Sequence, residues 1–173
     1  AQGETVGLLY HAGGLLVPLM PLAAAVALAS VIINSWRLAL QEALGPNGRL
    51  VVNLIPELQL IIGEQPPVPE LPPQQEKRRF HLVLRRFIGV FARSEHPLVL
   101  FLDDLQWLDP ATLDLVEDLL TGSDLQHLIL IGAYRDNEVD AAHPLVRTVE
   151  AIKNAGAKVE QITLAPLARE HIA

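Results

Sequence analysis

Hydrophobic and polar positions fall into a few distinct patterns along the chain. From Gly13 to Ile33 the residues are almost wholly apolar, and no Asp, Glu, Lys or Arg occurs between Glu4 and Arg37. From Ser35 the texture is that of a soluble domain. Ser35 can cap a helix through Leu44, with Trp36, Leu40 and Leu44 on one side, and Gly45-Pro46-Asn47-Gly48 stops it as a turn. Leu50, Val51, Leu54, Ile55, Leu58, Ile61 and Ile62 then recur at helical spacing, with Pro56 kinking or dividing the helix and Gly63 ending it. Phe80, Val83, Leu84, Phe87, Ile88 and Phe91 mark one face of a further amphipathic helix. Lys77, Arg78, Arg79, Arg85 and Arg86 lie mainly off that face, as a solvated side or a docking or phosphate-facing patch.

The second half of the chain alternates strand and helix. After a turn over Ser94 to Pro97, Val99, Leu100, Phe101 and Leu102 predict a strand buried on both faces. Asp109 reads as an N-cap with Pro110 at the first helical position. Leu113, Val116, Leu119 and Leu120 form that helix's buried stripe, and Gly122 ends it. His127 to Ala133 predicts a second buried strand. His143-Pro144 opens another helix, with Leu145, Val149 and Ile152 inward and Gly156 as its stop. Val159 to Leu164 predicts a third strand, and Ala165-Pro166-Leu167 turns toward a further helix. This alternation predicts an α/β fold with a right-handed parallel sheet and flanking helices.

Composition narrows the function. A chain of 173 residues suits one domain, with room for an appendage, and half its residues are hydrophobic. Its net charge of −7, with no broad basic surface, argues against nucleic acid as a partner. The absence of Cys excludes disulfides and thiolate metal sites, and fits a reducing, cytoplasmic setting. Residues 1–34 stand apart as an apolar N-terminal segment, and three readings stay open. It is long enough for a transmembrane helix, but Pro18 and Pro21 interrupt it and no Lys or Arg precedes it. A secretory signal would carry a positive start that is missing. The composition break near Ser35 favours a segment that is not native to the rest of the chain, such as a gene-fragment end or a shifted reading frame. Any membrane contact would run through residues 13–33. Residues 64–73 hold Pro66, Pro67, Pro69, Pro72 and Pro73, which suit a semi-rigid connector better than a ligand for a proline-recognising domain.

The chemistry concentrates where the predicted strands end. Asp103 and Asp104 follow the apolar run directly, and ligands of open α/β sheets sit outside the carboxyl ends of the strands. An acid pair there can hold Mg²⁺ and activate a water. Nucleoside triphosphatases need a carboxylate for Mg²⁺ and a group that orients the attacking water. Asp103 fits the first role and Asp104 the second. The bland alternative is that Asp103 caps the next turn and Asp104 is solvated. Arg135 ends the neighbouring strand, where a cation would lie close to a γ-phosphate; alternatively it is a surface Arg paired with Asp136 or Glu138. His96, His127 and His143 are isolated from one another and read as ordinary residues, not metal ligands.

LVLFLDDLQWLDPATLDLVEDL, LILIGAYRDNEV, HPLVRTVEAI and ITLAPL occur in that order. Together they resemble the AAA-like ATPase module of the STAND class. More narrowly, with LGPNGRLVVNLIPELQLIIGEQPPVPELPP, the chain from about Trp36 onward resembles the ATPase region of large bacterial signalling proteins. In those proteins it lies between a serine/threonine-kinase-like domain and a sensor histidine kinase region. The resemblance implies ATP and Mg²⁺ as cofactors and kinase domains of the same polypeptide as partners. It makes Asp103 the Walker B metal carboxylate, Asp104 its acidic partner and Arg135 the sensor residue.

The departure from that pattern is the phosphate loop, G-x-x-x-x-G-K-[ST], which is absent. Gly45 to Gly48 has neither its spacing nor its Lys. In the family that loop comes with the central strand. Residues 35–173 are therefore expected to be the C-terminal part of the domain: a partial P-loop sheet missing its central strand, with unpaired edges and an exposed apolar face. The resulting expectation is an ATPase switch module that is inactive alone. A non-catalytic interaction domain or a membrane-anchored signalling fragment are the alternatives.

Overall fold

The computed structural model describes residues 30–122 and 124–164. The predicted features of residues 1–29, and the helix start at Ala165-Pro166-Leu167, lie outside the described residues. Among the described residues no helix is long and apolar enough to cross a membrane. The chain divides into two compact units, one ending at Val90 and the other beginning at Phe91.

The first unit is helical. Helix α1 occupies residues 30–44, so Ser35 lies inside it and not at its start. The Ser35 hydroxyl donates to the carbonyl of Ile32 (2.7 Å). That bond satisfies the side chain within the helix, so it does not compete as a cap. Leu40 and Leu44 are buried as the pattern requires. Gly45 adopts φ +49°, which an L side chain resists, and the chain leaves α1 through a single 3₁₀ turn, Gly45–Asn47. Helix α2 (Gly48–Leu54) follows. Pro56 lacks the N–H needed to continue the ladder, so the apolar run breaks there into a 3₁₀ turn, Pro56–Leu58, and α3 (Gln59–Ile62). Gly63, at φ +80°, ends the run.

Residues 63–72 carry neither helix nor strand, yet the connector is tied at both ends. Near its start, Gln65 Nε2 and Gln41 Nε2 both donate to the carbonyl of Ile62 (3.2 and 2.9 Å). Further along, Arg79 Nη1 donates to the carbonyl of Pro69 (2.7 Å). Helix α4 (Pro73–Phe91) buries Val83 and Val90, with Phe80, Leu84, Phe87, Ile88 and Phe91 half-buried on the predicted stripe.

The second unit carries the strand ends. Strands β1 (Leu98–Leu102) and β2 (Leu128–Gly132) pair in parallel, from Leu98 opposite Leu128 to Leu102 opposite Gly132. Helices α5 (Pro110–Thr121) and α6 (Pro144–Asn154) pack against each other. Leu105, Leu113 and Leu145 form the core here, with Leu102, Leu108, Val139 and Val149 against it. Asp109 caps α5 as predicted, its Oδ1 accepting from the amides of Ala111 and Thr112 (2.8 and 3.1 Å).

Two further expectations fail. The strands are half-buried on one face and exposed on the other, not buried on both. Val99 and Phe101 are 51 % and 61 % exposed, and their partners Ile129 and Ile131 55 % and 48 %. An apolar run records what the complete environment of a strand must be, and among the described residues the second layer over this face is missing. The third strand, Val159 to Leu164, also does not form: residues 157–164 have no regular structure, and Ile162 and Leu164 are 83 % and 87 % exposed. A strand needs a neighbour for its backbone N–H and C=O groups, and neither β1 nor β2 pairs with this segment.

Candidate functional site

The site is built where β1 stops. Leu102 still belongs to the ladder, because its carbonyl accepts from the amide of Ala133 (2.8 Å). The amide of Leu105 then donates to the carbonyl of Ala133 (2.9 Å), so the chain crosses over the end of β2 as it leaves the strand. Gly132 permits that approach, since a Cβ there would collide with the Leu105 side chain. Between these two anchors lie Asp103 and Asp104.

Asp104 adopts the left-handed conformation, φ +52° and ψ +45°. Among the described residues no other non-glycine residue has positive φ. The left-handed region is costly for L residues, and Asp and Asn tolerate it better than most. Such a conformation persists only when its surroundings hold it. Here the Asp104 amide donates to Asp103 Oδ1 (2.9 Å), and Asp104 Oδ1 accepts from Gln106 Nε2 (2.9 Å). Leu105–Trp107 forms a 3₁₀ turn directly after it. The turn directs Gln106 inward, where it is 6 % exposed, and Trp107 outward, where it is 67 % exposed.

Gln106 joins the two strand ends. Its Oε1 accepts from the amide of Arg135 (3.3 Å), while its Nε2 holds Asp104. The Arg135 guanidinium then lies 3.8 Å from Asp104 Oδ1 and 3.1 Å from Glu138 Oε1, and 5.5 Å from the centre of the Trp107 ring. Trp107 Nε1 in turn donates to Glu138 Oε2 (3.2 Å). His143 completes the arrangement. Its Nδ1 accepts from the Leu145 amide (3.1 Å), capping α6, so its proton sits on Nε2 and donates to the carbonyl of Gln106 (3.2 Å).

The structure thus brings Asp103, Asp104 and Arg135 to one edge of the sheet. Asp103 is exposed and accepts a backbone hydrogen bond, and among the described residues no cation pairs with it. Arg135 is paired with Glu138, as its bland reading had it, and also with Asp104. Of the linking residues, the sequence points to Glu138 only as one of two possible partners of Arg135 and to His143 only as a helix opening and an ordinary residue, and it singles out neither Gln106 nor Trp107. Their signal was faint: a lone Gln between Leu105 and Trp107, and a His immediately before a helix-opening Pro.

No group of three or more acidic or His side chains that could hold a metal outright occurs among the described residues. A Mg²⁺ held through water by one carboxylate needs no such group. A groove of about 400 Å³ lies between α5 and α6, lined by Pro110, Leu113, Asp114, Glu117, Pro144 and Arg147 among others. It includes none of the strand-end acids or Arg135. Asp109, close by in sequence, is held below the usual carboxylate range by the Thr112 hydroxyl first, then by the Thr112 and Ala111 amides.

Comparison with known proteins bears on this edge. The AAA ATPase domain family matches residues 11–131, a span containing β1, both acids and nearly all of β2. Over 81 residues the chain is 41 % identical to hybrid signal transduction histidine kinase G of Dictyostelium discoideum. That alignment covers 47 % of this chain and 2 % of that protein, so the chain spans a small part of the relative's length. No solved structure matches.

Proposed function

This chain belongs to the AAA ATPase domain family, and on that premise we propose that it forms the metal-and-water side of an ATP-dependent switch in a signal-transduction protein. Asp103 would hold Mg²⁺ through water, Asp104 would orient the attacking water, and Arg135 would face the γ-phosphate. Bound Mg²⁺ would supply neutralisation of phosphate charge. The observation that carries the reading is the strand-end arrangement itself. Asp104 is held in a conformation L residues avoid, 3.8 Å from the Arg135 guanidinium, beside an exposed Asp103. Unusual backbone combined with convergent charge at the carboxyl edge of a parallel sheet is what a ligand site requires.

The metal side fits the residues present. The phosphate side does not, because no G-x-x-x-x-G-K-[ST] occurs in the chain to give a backbone cradle and Lys. This chain alone therefore lacks the groups that a step on nucleotide would need. A sheet whose loop-bearing strand is not among the described residues would leave Val159 to Leu164 without a partner, which agrees with its irregular course. The module would be of the STAND class and cytoplasmic, sharing its polypeptide with serine/threonine-kinase-like and sensor histidine kinase domains as in bacterial signalling proteins. The histidine kinase similarity supports the signalling part of that reading.

One observation favours a second reading. Arg135 is already neutralised by Glu138 at 3.1 Å, which suits an interaction domain that has lost nucleotide. A fluorescent ATP analogue titrated into the complete protein separates the two. The switch predicts Mg²⁺-dependent binding that Asp103→Ala weakens. Binding indifferent to both Mg²⁺ and Asp103 would favour the interaction domain.

A further inference from the structure

We infer that Gln106 is the positioning residue of this site, setting Asp104 and Arg135 at their working separation through the two ends of one buried amide; the inference rests on the ATPase reading above. The two charged groups do not hold each other. Their side chains are 37 % and 57 % exposed and 3.8 Å apart, and an ion pair so wetted is weak. Gln106 is 6 % exposed and engages both ends of its side-chain amide. Nε2 donates to Asp104 Oδ1 (2.9 Å) and Oε1 accepts from the Arg135 amide (3.3 Å). The donated bond fixes the carboxylate of a residue in the left-handed conformation. The accepted bond fixes the backbone from which the guanidinium extends. The backbone carbonyl of Gln106 accepts from His143 Nε2 (3.2 Å), so the turn that carries the amide is itself tied to the start of α6.

The residue type matters as much as the place. The site needs one donor and one acceptor at the end of a side chain of this length. An ionised Glu offers two acceptors and would repel Asp104, and Leu offers neither. A protonated Glu restores the pattern, because its O–H can donate to Asp104 while its carbonyl oxygen accepts from the Arg135 amide. Gln106→Glu is therefore a substitution whose fitness depends on pH, and that dependence distinguishes positioning from packing.

The test measures kcat and KM for Mg·ATP in the complete protein carrying Gln106→Glu or Gln106→Leu. Misplacing a catalytic group by about 1 Å can cost on the order of 10²-fold in rate. Gln106→Leu should lower kcat by up to that factor with KM little changed. Gln106→Glu should fall as far at about pH 8 and recover toward wild type near about pH 5, where the introduced carboxyl gains its proton. A kcat for Gln106→Leu equal to wild type, or a Gln106→Glu deficit that does not vary with pH, overturns the inference.

A second measurement does not depend on activity. In the 173-residue chain with Trp36→Phe, the emission of Trp107 reports the titration of the carboxyl introduced by Gln106→Glu. Its midpoint should lie above the ordinary Glu value of about 4.3, and adding Asp104→Asn should bring it down. A midpoint indifferent to Asp104→Asn also overturns the inference. If turnover in the complete protein ignores Asp103→Ala while the Trp107 titration behaves as stated, the ATPase reading has failed and the Gln106 link stands.

Discussion

Asp104 offers the sharpest test of how the strand end is held, because three substitutions separate its two constraints. The backbone is left-handed, and the carboxylate takes the amide hydrogen of the buried Gln106. Asp104→Ala loses both. A left-handed Ala costs on the order of 1 kcal/mol, and stranding the Gln106 donor costs about 1–3 kcal/mol, so roughly 2–4 kcal/mol should be lost. Asp104→Gly suits the left-handed backbone and loses only the hydrogen bond, so about 1–3 kcal/mol should go. Asp104→Asn retains an oxygen for Gln106 and tolerates the left-handed region. It gives up a wetted ion pair with Arg135, which is worth at most about 1 kcal/mol. The order of stability is thus Asn, then Gly, then Ala. Urea unfolding of the chain at unchanged m-value reads it directly. Asp104→Ala as stable as Asp104→Asn would refute the claim that backbone and Gln106 together fix this residue. In the complete protein, Asp104→Asn should slow hydrolysis more than it weakens ATP binding, since the proposed role is on the water; equal losses would count against that role.

Other positions give independent checks. His143→Ala removes the cap of α6 and the donor to Gln106 and should cost about 1–2 kcal/mol by urea unfolding, with His143→Asn recovering the capping part. Because Asp109 has a lowered pKa when folded, its contribution is complete above the ordinary Asp value and is lost as pH falls through the folded value. Asp109→Asn should therefore flatten the decline of melting temperature with acidification, while leaving the cap in place. On the open sheet face, Phe101→Thr with Ile131→Thr should change stability of the chain by about 0.5 kcal/mol or less while reducing binding of a hydrophobic dye. Leu113→Ala, at a residue 2 % exposed, should cost about 2–5 kcal/mol in the same assay.

What could be read in the sequence was set locally. Asp109-Pro110 announces the start of α5, and Gly63, Gly122 and Gly156 mark where helices end, because caps and stops act within one turn. Pro56 divides its helix as a missing N–H must. The acid pair was legible because it directly follows an apolar strand, and Arg135 because it lies just beyond the end of the next one. What failed depended on distant partners. Val159 to Leu164 has the composition of a strand but no neighbour to pair with. The run from Val99 to Leu102 is apolar at every position, and such a run does not reveal which face is covered. Gln106 and His143 took their roles from bonds spanning 29 and 37 residues, which no spacing rule anticipates. Ser35 misled in the opposite way, since a Ser within a helix can bond backward to the preceding turn as easily as cap its start.

As proposed above, this chain would hold the metal-and-water half of an ATPase cleft without the phosphate half. ATP turnover with Mg²⁺ tests it most directly, measured on the 173-residue chain and on the same chain joined to a family segment carrying G-x-x-x-x-G-K-[ST]. The chain alone should show no turnover, and the joined protein should show turnover that Asp103→Ala abolishes. Turnover by the chain alone that Asp103→Ala removes, or turnover by the joined protein that survives Asp103→Ala, would contradict it.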